Sequence, residues 1–415
     1  MKRAFGLLVI GLIATAFAKD PNIEGGKIHY RDGRYEKADA LFIKALSGSS
    51  AEEAYFWHGK ASVRLNNPVE AARAFLHALD SDPTGNIIRN DEEGIALAKI
   101  AFRYGAIDLF DDTLMQDTVV IFLKKGIELD PKETFDYVLL GRFYLQNDKG
   151  DEAIKVAEDL EKVVPASPQV PYIKARVSLS KEEYEKSIEY FNDAIAAYKK
   201  ELGELEEKIA SQLERKIEEI HPVLASLDSM ESAKDSVPPA EKENFLVSNI
   251  GFLPPQAKNF LKWRSGYIAQ RHETSVAYSY LGQAYFWTKK YPEADTAFSN
   301  ALEFDTENTD AAWYKGFNYF YLRDYKNAIV YFEKSIDTLN PNPTIYLYLG
   351  ICYLKDETKD LDKAGEFLFK AEELDNENPD VYLNLTVYWR EKGDLQKASE
   401  AYKRAQELSK QGDNQ

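Results

Sequence analysis

The segment from residue 275 to residue 342 consists of two consecutive stretches of 34 residues that share one pattern. The first reads SVAYSYLGQAYFWTKKYPEADTAFSNALEFDTEN (275–308), and the second reads TDAAWYKGFNYFYLRDYKNAIVYFEKSIDTLNPN (309–342). Small and aromatic residues coincide when the two are superimposed: Gly282 with Gly316, Tyr285 with Tyr319, Tyr291 with Tyr325, Ala294 with Ala328, and Phe298 with Phe332. Self-similarity at a fixed period of this length predicts one supersecondary unit that is used repeatedly.

Further copies of the pattern lie on both sides of this segment. Clear copies contain a glycine at the same offset, and these glycines are Gly26, Gly59, Gly141 and Gly350. A copy near residues 91–133 is degenerate, because Ile107 and Val119 replace the small residues expected there. The copies give about eight or nine repeats, arranged in an N-terminal block (19–201) and a C-terminal block (274–408).

This period and residue pattern resembles the tetratricopeptide repeat, a helical hairpin that buries its apolar face by stacking on its neighbours. The resemblance implies an all-α solenoid in which the first helix of each hairpin lines a groove. Carried onto the C-terminal block, it places ten residues at or near the groove, and these are Gln283, Phe286, Trp287, Trp313, Phe317, Phe320, Tyr321, Leu347, Ile351 and Leu354.

These ten groove residues are mostly aromatic or apolar. Large aromatic side chains anchor protein interfaces, because they bury a large area with few rotatable bonds. Three interpretations stay open: the groove binds another protein, residues 245–268 of this chain cover it, or its side chains only pack between repeats. Family members that clamp a peptide carboxylate place cations and amides in the groove. The matching positions here lack that set, and they are Ser279, Gln283, Tyr314, Thr344 and Tyr348.

The region between the two blocks, residues 202–273, does not follow the repeat. A long helix is predicted from about residue 198 to residue 220, with its apolar residues on one face. Residues 225–273 then predict an irregular insertion with breaks at Pro238-Pro239 and Pro254-Pro255, followed by a short helix. The insertion is too apolar for a flexible linker, so we expect it to dock on the solenoid or to meet a partner.

Residues 1–18 have the features of a cleavable secretory signal. Lys2 and Arg3 precede an apolar run, and Ala16-Phe17-Ala18 provides a site for cleavage. The residue directly after that site is Lys19 and not a cysteine, so a lipid anchor is not expected, and no later segment is long and apolar enough to span a membrane. We therefore expect a periplasmic or secreted protein of a bacterium.

Composition and motifs argue against several classes of function. The formal net charge of −17 disfavours binding to nucleic acid. The five histidines show no zinc-protease spacing, and neither a phosphate-binding loop nor a nucleophile elbow occurs. Cys352, the only cysteine, is expected to be a buried packing residue. We predict no catalytic residue, metal, cofactor or small-molecule substrate.

The expected function is that of a non-catalytic scaffold or adaptor that binds another protein in a bacterial cell-envelope assembly or secretion complex. The alternative is a soluble periplasmic chaperone that holds exported polypeptides. Only a short tail, residues 409–415, follows the last repeat. Since solenoids shield their terminal faces with polar caps, we also expect a second copy or a partner to cover one or both ends.

Overall fold

The computed structural model describes residues 20–82, 84, 86–232 and 237–412, and the predicted signal lies outside them. Over these ranges the chain forms 21 α-helices and one short 3₁₀ helix, without a strand. The prediction of an all-α repeat fold is confirmed. The chain divides into two compact units, residues 1–173 and 174–415, and the division falls inside one helix.

The first unit contains a series of short helices. They are α1 (Pro21–Arg31), α2 (Tyr35–Ala45), α3 (Ala51–Arg64), α4 (Pro68–Ser81), α5 (Asn86–Arg89), α6 (Glu92–Asp108), α7 (Gln116–Leu129), α8 (Thr134–Gln146), α9 (Gly150–Val163) and α10 (Gln169–Ser180), in which the unit ends. Residues 92–129, where the repeat is degenerate, also form two helices that pack together, with the rings of Phe102 and Phe122 5.8 Å apart.

The second unit begins with three helices of unequal length and ends with four hairpins. Its helices are α11 (Tyr184–Leu213), α12 (Ile217–Ser232), α13 (Pro239–Asn249), α14 (Pro254–Trp287), α15 (Tyr291–Phe304), α16 (Thr309–Tyr321), α17 (Tyr325–Lys334), α18 (Pro343–Tyr353), a 3₁₀ helix (Asp356–Thr358), α19 (Leu361–Leu374), α20 (Pro379–Glu391) and α21 (Leu395–Gly412).

The repeating glycine allows the two helices of a hairpin to approach closely. A Cβ atom at Gly316 would lie 2.5 Å from the ring of Phe332, and one at Gly282 would lie 2.5 Å from the ring of Phe298. Real Cβ atoms do not approach other heavy atoms this closely, so a larger residue would push the helices apart. The 34-residue pattern thus results from a contact between a glycine on the first helix and an aromatic ring on the second helix that packs over it.

The turn between the helices of most hairpins contains one residue with left-handed backbone. These residues are Gly33, Asn66, Asp148, Glu182, Lys289, Arg323 and Gly393, with φ between 55° and 81°. A left-handed residue just after a helix directs the chain away from the helix axis, and the second helix starts two residues later. Glycine adopts this conformation most easily, whereas lysine and arginine adopt it at a cost.

His58 and Lys60 are ionisable residues that α3 buries in the first unit. Lys60 is 2% exposed, and its Nζ lies 2.9 Å from an Asp91 oxygen and 2.8 Å from a Glu93 oxygen. The His58 ring is bracketed by Asp39, 2.5 Å from Nδ1, and by Glu70, 3.3 Å from Nε2. Burial would lower the pKa of His58, but the hydrogen bonds and charges of these two carboxylates outweigh it, and the pKa is raised.

The region between the blocks differs from the prediction, because it is largely helical. The long helix ends at Leu213, where Glu214 takes a left-handed conformation (φ 53°), and α12 starts at residue 217. The predicted irregular insertion contains α12, α13 and the first half of α14. Pro254 and Pro255 do not interrupt a helix but begin the 34-residue α14, in whose first turn no backbone N–H donor is needed.

The apolar residues of this insertion form a core with α11. The buried members include Leu202, Ile209, Leu227, Leu246 and Phe260. The indole N–H of Trp263 donates a hydrogen bond to the carbonyl oxygen of Leu205 at 2.8 Å. The apolar face of α11 therefore packs against its own chain.

Candidate functional site

One side of the first helix of each C-terminal hairpin forms the candidate site, which we call the groove face. Its positions are three residues before, one after and five after the conserved glycine, a spacing that keeps side chains on one side of a helix. They are Ser279, Gln283 and Trp287 on α14, Trp313, Phe317 and Tyr321 on α16, Leu347, Ile351 and Lys355 on α18, and Leu383, Val387 and Glu391 on α20.

The ten predicted groove residues differ widely in exposure. Trp287 is 53% exposed and Tyr321 is 57% exposed. The side chains of Gln283, Phe286 and Leu347 are buried. The other five are partly buried, and they are Trp313, Phe317, Phe320, Ile351 and Leu354. The predicted set therefore contains an accessible aromatic surface together with the layer of side chains directly beneath it.

Tyr348 connects the aromatic side chains of α16 and α18. Its ring centroid lies 4.5 Å from that of Phe317 and 5.0 Å from that of Phe320, both in edge-to-face arrangements. Trp313 lies 4.2 Å from Phe317, and the buried ring of Phe332 supports both. Such contacts fix ring orientation, so the rings of the groove face are held in place before any partner binds.

Phe286 plays the same supporting role one repeat earlier. Its buried ring lies 5.4 Å from the ring of Trp287 and 5.2 Å from the ring of Tyr321. The two most exposed aromatics of the groove face are thus attached to the same buried ring. Packing between repeats, one of the three interpretations, accounts for the supporting rings but not for the exposed ones.

The insertion packs its apolar side chains away from these residues. Phe252, Phe260 and Tyr267 are buried in the core that the insertion forms with α11 and α12. None of the ten predicted groove residues belongs to that core as the described residues define it. Cover of the groove by residues 245–268 therefore has no support among the contacts of these residues.

The structure extends the groove face by two residues that the sequence analysis omitted. Leu383 is 42% exposed and Val387 is 43% exposed, and both lie at groove-face positions of α20. Groove positions are counted from the glycine of each repeat, and in this repeat Thr386 stands in place of that glycine. A count from Thr386 as if it were glycine would have found both residues.

The middle of the groove face is uncharged near neutral pH. Burial raises the pKa of Tyr348, and the nearby Tyr321 and Asp380 raise it further, so its phenol stays protonated. The thiol of Cys352 is fully buried, which raises its pKa to about 12 and leaves it a weak nucleophile. Among the residues that the structure describes, no group of three or more His, Cys, Asp or Glu side chains is arranged to hold a metal.

The described helices were also compared with the requirements of a membrane span. None of them combines sufficient length with sufficient apolar character to cross a bilayer.

Comparison with known proteins gives one family and several partial likenesses. The tetratricopeptide repeat family model matches residues 23–86 and 138–201. The Sol locus transcriptional repressor of Clostridium acetobutylicum is 37% identical over 70 residues, which span 17% of this chain and 21% of the repressor. The match thus covers about a fifth of that protein's length.

Two solved structures cover most of their own length when aligned with this chain. The structure of pilF from Pseudomonas aeruginosa is 12% identical, covers 69% of this chain and 96% of its own, and gives a TM-score of 0.42. A tetratricopeptide repeat protein from Parabacteroides merdae is 11% identical, covers 80% and 97% of the two chains, and gives a TM-score of 0.40. The residues that the family model matches are tetratricopeptide repeats, and the glycine-spaced helical hairpins of both units follow the same pattern.

Proposed function

We propose that this protein is an exported, non-catalytic scaffold that binds another protein through its groove face, within a bacterial cell-envelope assembly or secretion complex. One observation carries the binding part of the proposal. Trp287 and Tyr321 are each more than half exposed, next to a row of partly buried rings on α16 and α18. Exposed apolar surface that is continuous with ordered aromatic side chains is typical of interaction sites.

The shape of the groove face favours a polypeptide as the ligand. It is formed by four helices, α14, α16, α18 and α20. Each helix contributes side chains at the same three offsets from the glycine position of its repeat. A helix or an extended segment presents its own side chains at regular intervals and can use such a row. A small molecule would need an enclosed pocket with converging polar groups.

Fixed aromatic rings favour one dedicated partner over many clients. Surfaces that bind many sequences are usually rich in methionine or in flexible loops, so that they can repack for each ligand. The chain has three methionines, and none of them is at a groove-face position. The rings around Tyr348 instead hold one another in edge-to-face contacts. A scaffold is therefore our first proposal, and a periplasmic holdase is the alternative.

Export to the periplasm or to the exterior rests on the predicted signal in residues 1–18. This part of the proposal is independent of the groove. It is checked by N-terminal sequencing of the protein from the native host, with cleavage expected after Ala18.

The binding part is tested by photo-crosslinking in the native host. A photoreactive phenylalanine analogue replaces Tyr321, which is exposed and similar in size, and a control places it at the exposed Lys208 on α11. We expect one dominant protein partner at residue 321 that is absent at residue 208. The same capture should weaken when Trp313→Ala is introduced, because that ring holds the neighbouring groove side chains.

The outcomes separate the two functions. A single envelope protein that also binds the purified chain would establish a scaffold and identify its complex. A broad set of exported chains would support the holdase instead. If residues 321 and 208 capture the same material, the groove face is not a binding site.

A further inference from the structure

One end of the groove face is basic. Trp287 is followed in the α14–α15 turn by Lys289 and Lys290, and Tyr321 is followed in the α16–α17 turn by Arg323. All three cationic side chains are exposed. Within the described part of the chain, none of them forms an ion pair. The two exposed aromatics are thus accompanied by three cations whose charges are not neutralised by a partner among the described residues.

The backbone at two of these cations is unfavourable for their residue type. Lys289 has φ 61° and Arg323 has φ 62°, whereas Gly33 and Gly393 occupy the equivalent turn position in other hairpins. A residue with a side chain costs about 1 kcal/mol more than glycine in this conformation. Asn66, Asp148 and Glu182 take the same conformation at this turn position in other hairpins, so the left-handed backbone belongs to the turn, and what distinguishes Lys289 and Arg323 is their positive charge.

Carboxylates near this end only partly offset the cations. Residues 287–293 and 321–327 together contain four basic and two acidic side chains, in a chain whose net charge is −17. One of the two carboxylates, Asp324, accepts hydrogen bonds from the backbone N–H of Asn327 at 3.2 Å and from its side-chain amide at 2.7 Å. The local excess of positive charge therefore contrasts with the rest of the molecule.

We propose that the segment bound on the groove face carries acidic residues beside its apolar ones. Its apolar side chains pack on the rings of Trp287 and Tyr321, and its carboxylates pair with Lys289, Lys290 and Arg323. This inference rests on the proposed function and adds the chemistry and the orientation of the partner. The acidic part of the partner lies over the turns after α14 and α16, and its uncharged part continues along α16 and α18.

A protein segment fits this arrangement better than an anionic membrane. Peripheral membrane binding uses several aromatic and apolar groups that enter the bilayer together with the basic ones. Among the described residues of the groove face, two rings are more than half exposed, and the next ones in the row, Trp313 and Phe317, are partly buried. An extended chain can reach such rings one after another, whereas a bilayer surface cannot.

The test is selection of peptides from a phage-displayed library of random 12-residue sequences on the purified protein. We expect the enriched peptides to combine Asp or Glu with aromatic or aliphatic residues. One enriched peptide is then synthesised, and its affinity is measured for the wild type and for the variant Lys289→Glu/Lys290→Glu/Arg323→Glu. We expect the variant to bind at least about tenfold more weakly, since three ion pairs of modest strength are each replaced by repulsion.

The matched control is the variant Lys199→Glu/Lys200→Glu/Lys208→Glu, which changes the net charge equally on exposed residues of α11. It should bind within about twofold of the wild type, because α11 is not part of the groove face. Circular dichroism confirms that both variants are folded. Raising the salt concentration should weaken peptide binding to the wild type, because it screens the attraction, and should strengthen peptide binding to the charge-reversed variant, because it screens the repulsion.

Failure of this inference is distinguishable from failure of the proposed function. Peptides that lose affinity with Trp313→Ala but show no acidic preference would overturn the inference and leave groove binding intact. Peptides that are insensitive to both Trp313→Ala and charge reversal, or no enrichment at all, would overturn both. Charge-dependent binding to phosphatidylglycerol vesicles without selection of acidic peptides would show that the basic end serves a membrane instead.

Discussion

Replacing Gly316 by alanine tests whether close helix packing is what the 34-residue pattern encodes. The added Cβ would lie 2.5 Å from Cδ1 and 2.7 Å from Cε1 of Phe332. Phe332 is fully buried and contacts the rings of Trp313 and Phe317, so it cannot move without displacing groove residues. Either the ring shifts or α16 and α17 separate.

The expected change in the free energy of unfolding is the cost of overpacking minus the gain in helix propensity. Overpacking a buried site costs about 1–3 kcal/mol. Replacing glycine by alanine within a helix returns about 1 kcal/mol of helix propensity. We therefore expect Gly316→Ala to lower the free energy of unfolding by about 1 kcal/mol. Gly203→Ala on α11, where an added Cβ meets nothing within 4 Å, should instead raise it by up to about 1 kcal/mol.

Urea unfolding followed by circular dichroism measures both variants against the wild type. The background Phe332→Leu adds a second check, because the smaller side chain leaves room for the Cβ and should make Gly316→Ala less damaging there. If Gly316→Ala stabilises the protein as much as Gly203→Ala does, the glycine is not required for packing. The pattern would then need another explanation.

Three further changes probe other parts of the chain. His58→Gln should remove a pH-dependent contribution to the stability of the fold. Folding raises the pKa of His58, so its pairing with Asp39 stabilises the folded protein fully below about pH 6.5. This stabilisation is lost as the pH rises through the pKa of His58 in the folded protein. The urea midpoint of the wild type minus that of this variant should therefore fall as the pH rises from acidic to alkaline. If the two midpoints change with pH in parallel, the expectation is contradicted. Lys60→Met should lower the free energy of unfolding by about 1–3 kcal/mol. It should also raise the pKa of Glu93 above its value of about 2. NMR titration of wild type and variant is the test, and an unchanged Glu93 pKa in the variant would exclude the ion pair. Trp263→Phe should cost about 1 kcal/mol in thermal unfolding through loss of its hydrogen bond, and an unchanged melting temperature would argue against that bond.

The hairpins were predictable because their main requirement is local and chemical. The glycine and the ring that covers it are 16 residues apart and meet in the structure in four copies, which are Gly26 with Phe42, Gly59 with Phe75, Gly282 with Phe298, and Gly316 with Phe332. The turn residue that reverses the chain also recurs at a fixed offset, although its type varies from Gly33 to Arg323. Because the glycine–ring contact and the turn residue both recur with the repeat, the hairpin can be predicted from its own residues.

The region between the blocks was harder to predict because its contacts are not periodic. Proline pairs usually interrupt regular structure, but Pro254 and Pro255 begin α14, whose first turn needs no N–H donors. The break at Glu214 carries no proline or glycine, so the sequence offered no signal for it. There the insertion packs onto α11, and such tertiary contacts determine where the helices end.

The groove residues were predicted by position, whereas their exposure depends on the next repeat. Phe286 lies four residues after its glycine and is buried between Trp287 and Tyr321, while Trp287, one residue later, is exposed. A helical periodicity gives the side of the helix to within about one residue. It does not say which ring of the neighbouring helix will cover that side.

The proposed binding at the groove face would be coupled to the stability of the repeat stack. Tyr348 on α18 orders Phe317 and Phe320 on α16, so the same ring contributes to stacking of the repeats and to the groove face. A ligand that binds only the stacked form must raise the stability of the stack by mass action. A substitution weakens the ligand through this linkage only as far as it lowers the population of the stacked form. Gly316→Ala should reduce affinity for a groove ligand for a second reason, because the Phe332 ring that its Cβ displaces contacts the groove residues Trp313 and Phe317, whereas Gly203→Ala should leave that affinity unchanged.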